Sequence, residues 1–211
     1  MWQRTYREAV GGLAYPTIQQ TADGGYVISS TSSADAWVLK LNANGNVVWQ
    51  KTYGGPSYDQ GNSIRQTADG GYIVAGTTAS FGAGGYDVWL LRLDGSGGIT
   101  WQKTYGGVSG DYTYGSVAEI ASGGFVVSAM THSFTLPGEL MDAIWILSVD
   151  ANGSLFNCVP PGMGATSSAT VMTTTSSGTA TQATLGTPTV TVTTTGSAPG
   201  TSQATVETQC G

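Results

Sequence analysis

Apolar and aromatic residues along this chain gather in short runs separated by Gly, Asp and Asn, and the runs recur in a fixed order. Three blocks align. The first reads TADGGYVISS, then DAWVLKLNANGNVVWQKTYGG; the second TADGGYIVAG, then DVWLLRLDGSGGITWQKTYGG; the third IASGGFVVSA, then DAIWILSVDANGSLFN. Paired glycines fall at Gly24-Gly25, Gly70-Gly71 and Gly123-Gly124, mid-block tryptophans at Trp37, Trp89 and Trp145, and later ones at Trp49 and Trp101. A period of roughly 50 residues marks one supersecondary unit used repeatedly. No stretch sustains the 3.6-residue apolar period of a helix, so the pattern predicts an all-β chain.

Within the second block the pattern predicts four strands: SIRQT, GYIVAGT, DVWLLRLD and ITWQKTYG. Aromatic and β-branched side chains suit a pleated surface. The links Ala68-Asp69-Gly70-Gly71 and Asp94-Gly95-Ser96-Gly97 supply the positive φ that tight hairpins need. VWLLRL is nearly all apolar, which predicts a strand buried on both faces. A four-stranded antiparallel unit with one buried central strand is the form of a propeller blade.

The pattern WQKTYGG, TADGGYIVAGTT, DVWLLRLD resembles the β-propeller-type repeats of secreted and cell-surface proteins of bacteria and archaea. The resemblance covers residues 1–157, with blades over about 13–55, 56–107 and 108–157. It implies a blade fold and an extracellular setting but no single activity. Two departures stand out. Propellers close with about four to eight blades, and three are present here. The chain also opens on MWQRTY, which matches WQKTY without the three strands before it, while the third block ends in the weak SLFNC. The segment Trp2, Gln3, Arg4, Thr5, Tyr6 then either pairs with the last block to close a ring or adds to a neighbouring subunit's open edge. The second route makes a head-to-tail contact, which builds rings or filaments.

Residues 158–211 change character: Thr and Ser dominate, aromatic residues are missing, and Glu207 is the one charge. Segments such as TPTVTVTTT alternate with period 2, so the tail reads as a Thr/Ser-rich β layer; the other reading is an O-glycosylated stalk. Cys158 and Cys210 bracket it. Joined, they would close a loop worth about 4 kcal/mol in the chain-entropy model, a bond that persists in oxidising compartments. Two unpaired buried thiols are the alternative.

Charge narrows the classes of partner. The formal net charge is −6, and no Lys or Arg follows Lys103. Seven scattered basic residues make no polyanion-binding surface, so nucleic acid is not expected. No apolar run of about 18 residues exists, so no membrane span is expected either. The opening MWQRTYREAV is strand-like and has no signal-peptide pattern. The cysteine pair and hydroxyl-rich composition place the protein outside the cell or on its surface.

Candidate chemistry is sparse, and no catalytic residue, metal ligand or cofactor site is assigned. His132 is the one histidine; without a partner Cys or His it is read as an exposed loop residue. Asp23 and Asp69 recur at one repeat position, and Asp35, Asp87 and Asp142 at another, which fits a turn or strand-start role performed once per unit. A glycosidase pair would be singular, as Glu139 and Asp142 in the third block's insertion are. The runs starting at Asn42 and Asp150 resemble the start of a calcium loop but lack its distant Glu, and both suit hairpin turns. Asn152-Gly153-Ser154 is a glycosylation sequon. The mid-block tryptophans are read as core, leaving Tyr58, Tyr86, Tyr112 and Tyr114 as exposed aromatics for a ligand, with Tyr112 and Tyr114 the candidate ligand loop. The expected function is a non-catalytic structural protein that self-associates through Trp2–Tyr6. The alternative is a module that binds carbohydrate, such as surface polysaccharide, for adhesion; a glycoside-active enzyme is the third reading.

Overall fold

The computed structural model describes residues 2–6, 14–121, 123–134, 142–155, 171–174 and 180–183. All regular structure among them is β, and no helix occurs. The strands of the first sheet are β1 (Ala14–Gln20), β2 (Tyr26–Ser32), β3 (Asp35–Leu41) and β4 (Val47–Tyr53), paired antiparallel in the order β1-β2-β3-β4. The second repeats it with β5 (Asp59–Gln66), β6 (Tyr72–Thr78), β7 (Asp87–Leu93) and β8 (Ile99–Tyr105). In the third, β9 (Asp111–Tyr112) and β10 (Val117–Glu119) both pair with β11 (Phe125–Thr131), which pairs with β12 (Ala143–Val149). β9 and β10 are one strand interrupted at Thr113–Ser116, since Asp111 faces Thr131 as Asp59 faces Thr78. We call these sheets units 1, 2 and 3. In the tail, β13 (Val171–Thr174) and β14 (Ala180–Ala183) form a hairpin, and β13 lies against β8.

The predicted turns form as the sequence demands. Gly24, Gly70 and Gly123 hold φ of 77°, 86° and 85° between the first two strands of each unit, and Gly45, Gly97 and Gly153 hold 72°, 76° and 73° between the last two. The Asx reading of the turn residues is borne out. Asp23 Oδ1 accepts from Gly25 N and Asp69 Oδ1 from Gly71 N; Asn42, Asp94 and Asp150 each accept two main-chain N–H groups of their own turn. A buried cation reaches back to the first of these turns: Lys40 Nζ lies 2.8 Å from Asp23 Oδ2, and Arg92 Nη2 lies 2.5 Å from Asp69 Oδ2. These bonds hold both carboxyls below the usual carboxylate range, Asp23 chiefly through Lys40, and Asp69, at about 2, chiefly through the Thr67 hydroxyl.

Unit 2 packs one face on unit 1 and the other on unit 3. Val27, Ala36 and Val38 of unit 1 meet Ile64, Tyr72, Val74, Trp89, Leu91 and Leu93 of unit 2. Ile73, Ala75, Val88 and Leu90, on the opposite face of unit 2, meet Val117, Phe125, Val127, Leu147 and Val149 of unit 3. β7 is therefore buried at every position, as the apolar run predicted. β12 is not: its exposure alternates, with Ile144 at 86% and Ile146 at 59%. The register also corrects one alignment. Thr131 faces Ala143 as Thr78 faces Asp87, so Ala143, not Asp142, occupies the position of Asp35 and Asp87.

Candidate assembly interface

The WQKTYGG motif acquires a physical meaning at the joints between units. Trp49 Nε1, on the outer strand of unit 1, donates to Gly95 O in the turn of unit 2 at 3.2 Å, and Tyr53 Oη donates to Gly97 O at 2.7 Å. Trp101 Nε1 and Tyr105 Oη of unit 2 do the same to Ala151 O (3.1 Å) and Gly153 O (2.6 Å) of unit 3. The indole also lies edge-on or tilted against the aromatic that opens the next unit's second strand: Trp49 on Tyr72 with centroids 5.8 Å apart, Trp101 on Phe125 at 6.1 Å. Gly97 and Gly153 leave room for these rings; a Cβ there would lie 3.0 Å and 2.9 Å from the indole. Burial pushes the Tyr53 and Tyr105 hydroxyls well above their ordinary pKa, so both remain donors.

The two glycines that end the motif carry the chain past buried carboxylates. Asp59 accepts from Gly55 N and Ser80 Oγ, both at 2.7 Å, and from Thr78 Oγ1; Asp111 accepts from Gly107 N at 2.9 Å, Ser133 Oγ at 2.6 Å and Thr131 Oγ1. A Cβ on Gly106 would overlap the carboxylates of both Asp87 and Asp111. Burial, with Asp111 nearby, pushes Asp87 up to about 7.

The N-terminal segment makes the same joint with unit 1. Trp2 Nε1 donates to Ala43 O at 3.1 Å, Tyr6 Oη to Gly45 O at 2.7 Å, and Arg4 Nη1 to Asn46 Oδ1 at 2.6 Å. Trp2 stands edge-on to Tyr26, centroids 6.0 Å apart. Trp2, Gln3, Arg4 and Thr5 are exposed, and no strand among the described residues pairs with the segment. Its side chains thus occupy the place that the outer strand of a preceding unit would fill. Compared with known proteins, the chain matches no family model and no curated protein.

The remaining candidates fall in two groups. Tyr112 and Tyr114 do meet: their rings stack with centroids 5.9 Å apart, and Tyr86 (5.3 Å) and His132 (5.5 Å) also pack on Tyr112. His132 Nε2 lies 2.5 Å from Asp142 Oδ1, a contact the sequence did not suggest. Tyr114 and Tyr58 are exposed as expected, whereas Tyr86 and Tyr112 are half-buried. Asn152 is exposed at the turn between β12 and Leu155. Trp37 and Trp89 are core, while Trp145 is only half-buried, packed on Phe134. Cys158, Cys210 and Glu139 lie outside the described residues.

Proposed function

We propose that this chain is a non-catalytic structural protein of the cell exterior that associates head to tail, its N-terminal segment adding as a strand to a neighbouring subunit. One observation carries the reading. Trp2, Arg4 and Tyr6 are docked on the turn of unit 1 as an outer strand would be, yet their main chain pairs with no strand among the described residues. Unpaired strand groups seek a partner edge. Blade-like units stacked face to face, scarce charge and the resemblance to secreted repeats support an extracellular scaffold. Light scattering and negative-stain imaging of the full chain test it: concentration-dependent oligomers that disappear on deleting residues 1–7 are expected. A monodisperse monomer at high concentration, indifferent to that deletion, would end the reading.

The cluster of Tyr86, Tyr112, Tyr114 and His132 favours a second reading, a carbohydrate-binding module, because the exposed Tyr114, stacked on the half-buried Tyr112, offers an aromatic face suited to a sugar ring. Glycan-array binding that Tyr114→Ala abolishes would support it, and an array without signal would remove it.

A further inference from the structure

The geometry points to the acceptor: Trp2–Tyr6 of one copy becomes the fourth strand of unit 3 in a second copy, antiparallel to β12, with Tyr6 facing Ile144, Arg4 facing Ile146 and Trp2 facing Ser148. This rests on the head-to-tail reading above and specifies its surface and register.

Among the described residues unit 3 has no outer strand of its own. Beyond the turn at Asp150, β12 is met only by the bridge Val149–Leu155 among the described residues. The sequence supplies a reason. Leu93 pairs with Ile99 as Val149 pairs with Leu155, so Asn157 takes the place of Trp101, and Pro160 and Pro161 those of Thr104 and Tyr105. Proline has no N–H to give a ladder and is confined to strand edges and starts. The third block therefore carries neither the Trp nor the Tyr of the motif, and two of its positions have no N–H to give to β12. The N-terminal segment carries what is missing: WQRTY where unit 2 has WQKTY.

The faces behind these strands agree. By register Ile144 and Ile146 occupy the positions of Val88 and Leu90. Those two are wholly buried under the following unit, whereas Ile144 and Ile146 are 86% and 59% exposed. At the other end of the chain, Ile18 occupies the position of Ile64. Ile64 is wholly buried on unit 1, while Ile18 is 60% exposed and Tyr26 and Ile28 are half-buried. Each copy thus presents, at opposite ends, the two halves of a contact it already makes twice internally. A second copy is the occupant that supplies both the complementary face and the strand missing among the described residues. Because Trp2–Tyr6 is already seated on its own unit 1, docking that unit against β12 delivers the strand in the register of the internal pairs Val88–Tyr105, Leu90–Lys103 and Arg92–Trp101. The contact is heterologous, and its geometry decides between a closed ring and an open filament.

Cysteine cross-linking between copies tests the register. Full-length Arg4→Cys is mixed with Ile146→Cys or, as an off-register control, with Ile144→Cys, then oxidised, and the linked peptides are mapped by mass spectrometry. The 4–146 link should exceed the 4–144 link several-fold, and Ile146→Glu should abolish oligomers while leaving a folded monomer by circular dichroism. Oligomers with the 4–144 link dominant, or oligomers that survive Ile146→Glu, would overturn this acceptor and register while leaving head-to-tail association standing. Absence of any oligomer in the unmodified chain would overturn both.

Discussion

Units 2 and 3 are built from nearly the same strands, yet one is sealed and the other is open. β7 and β12 have the same length, the same central tryptophan and comparable apolar content. Every residue of β7 is buried, because unit 1 lies on one side, unit 3 on the other, and β8 covers its edge. β12 has unit 2 on one side, and among the described residues nothing packs on Ile144 and Ile146 on the other. Exposure here is thus a property of position in the stack, not of the strand's own sequence. The same lesson appears at the outer strands: Gln102, Lys103 and Thr104 of β8 are buried where β13 lies against it, while Gln50, Lys51 and Thr52 of β4 are exposed.

The largest effect expected from breaking this contrast is at Leu90. Leu90→Ala empties a fully buried site between units 2 and 3 and should cost about 2–5 kcal/mol in urea unfolding. Next comes the buried carboxylate that unit 3 replaces with Ala143. Asp87 in the folded chain is raised to about 7 from an ordinary 3.8, so the folded state holds a proton that the unfolded chain releases. Its stabilisation is complete below pH 3.8 and is lost as pH rises toward 7, with a slope of up to about 1.4 kcal/mol per pH unit. Asp87→Asn, which keeps an acceptor for Ala83 N–H, should flatten unfolding free energies measured between pH 4 and 7. Asp23 and Asp69 are shifted the other way and act only below that window.

A smaller change is expected at Asp69, which is exposed but caps the buried Arg92. Asp69→Ala should cost about 1 kcal/mol at neutral pH. That difference should vanish as pH falls through 3.8 toward 2, where the native carboxylate is protonated too. Unit 3 has Ser122 and Ser148 at the two positions and does without the pair. The smallest effect is at Ile146, the counterpart of Leu90. Ile146→Ala should change the stability of the dilute monomer by no more than about 0.5 kcal/mol. A larger loss would show that the face is already covered in the monomer.

Much of the fold was legible in the chain. The all-β class, the four-strand order of unit 2, the glycine turns and the burial of VWLLRL follow from local periodicity and turn chemistry. What the pattern could not convey is set by neighbours. AIWILSV reads as buried as DVWLLRL does, and only the stack shows that nothing among the described residues lies behind it. The recurrence of Asp142 with Asp35 and Asp87 failed by one position, because an insertion before β12 shifts the alignment that register restores to Ala143. The joints were missed altogether, because Trp and Tyr reach carbonyls of the next unit's turn about one repeat further along the chain. A signal did exist: WQRTY, WQKTY and WQKTY each stand about one repeat before a turn glycine, the Tyr-to-Gly spacings being 39, 44 and 48 residues.

These joints read the main chain. Trp2, Trp49 and Trp101 donate to carbonyls, as do the three tyrosines, and the turns they contact are spelled differently: Asn-Ala-Asn-Gly, Asp-Gly-Ser-Gly and Asp-Ala-Asn-Gly. Only the glycine under the indole is held constant by contact. The middle residues of each turn are therefore free to drift without loosening the stack. A unit copied in tandem would find both of its connections already formed, so an array of this kind can lengthen by simple duplication, without any compensating change elsewhere.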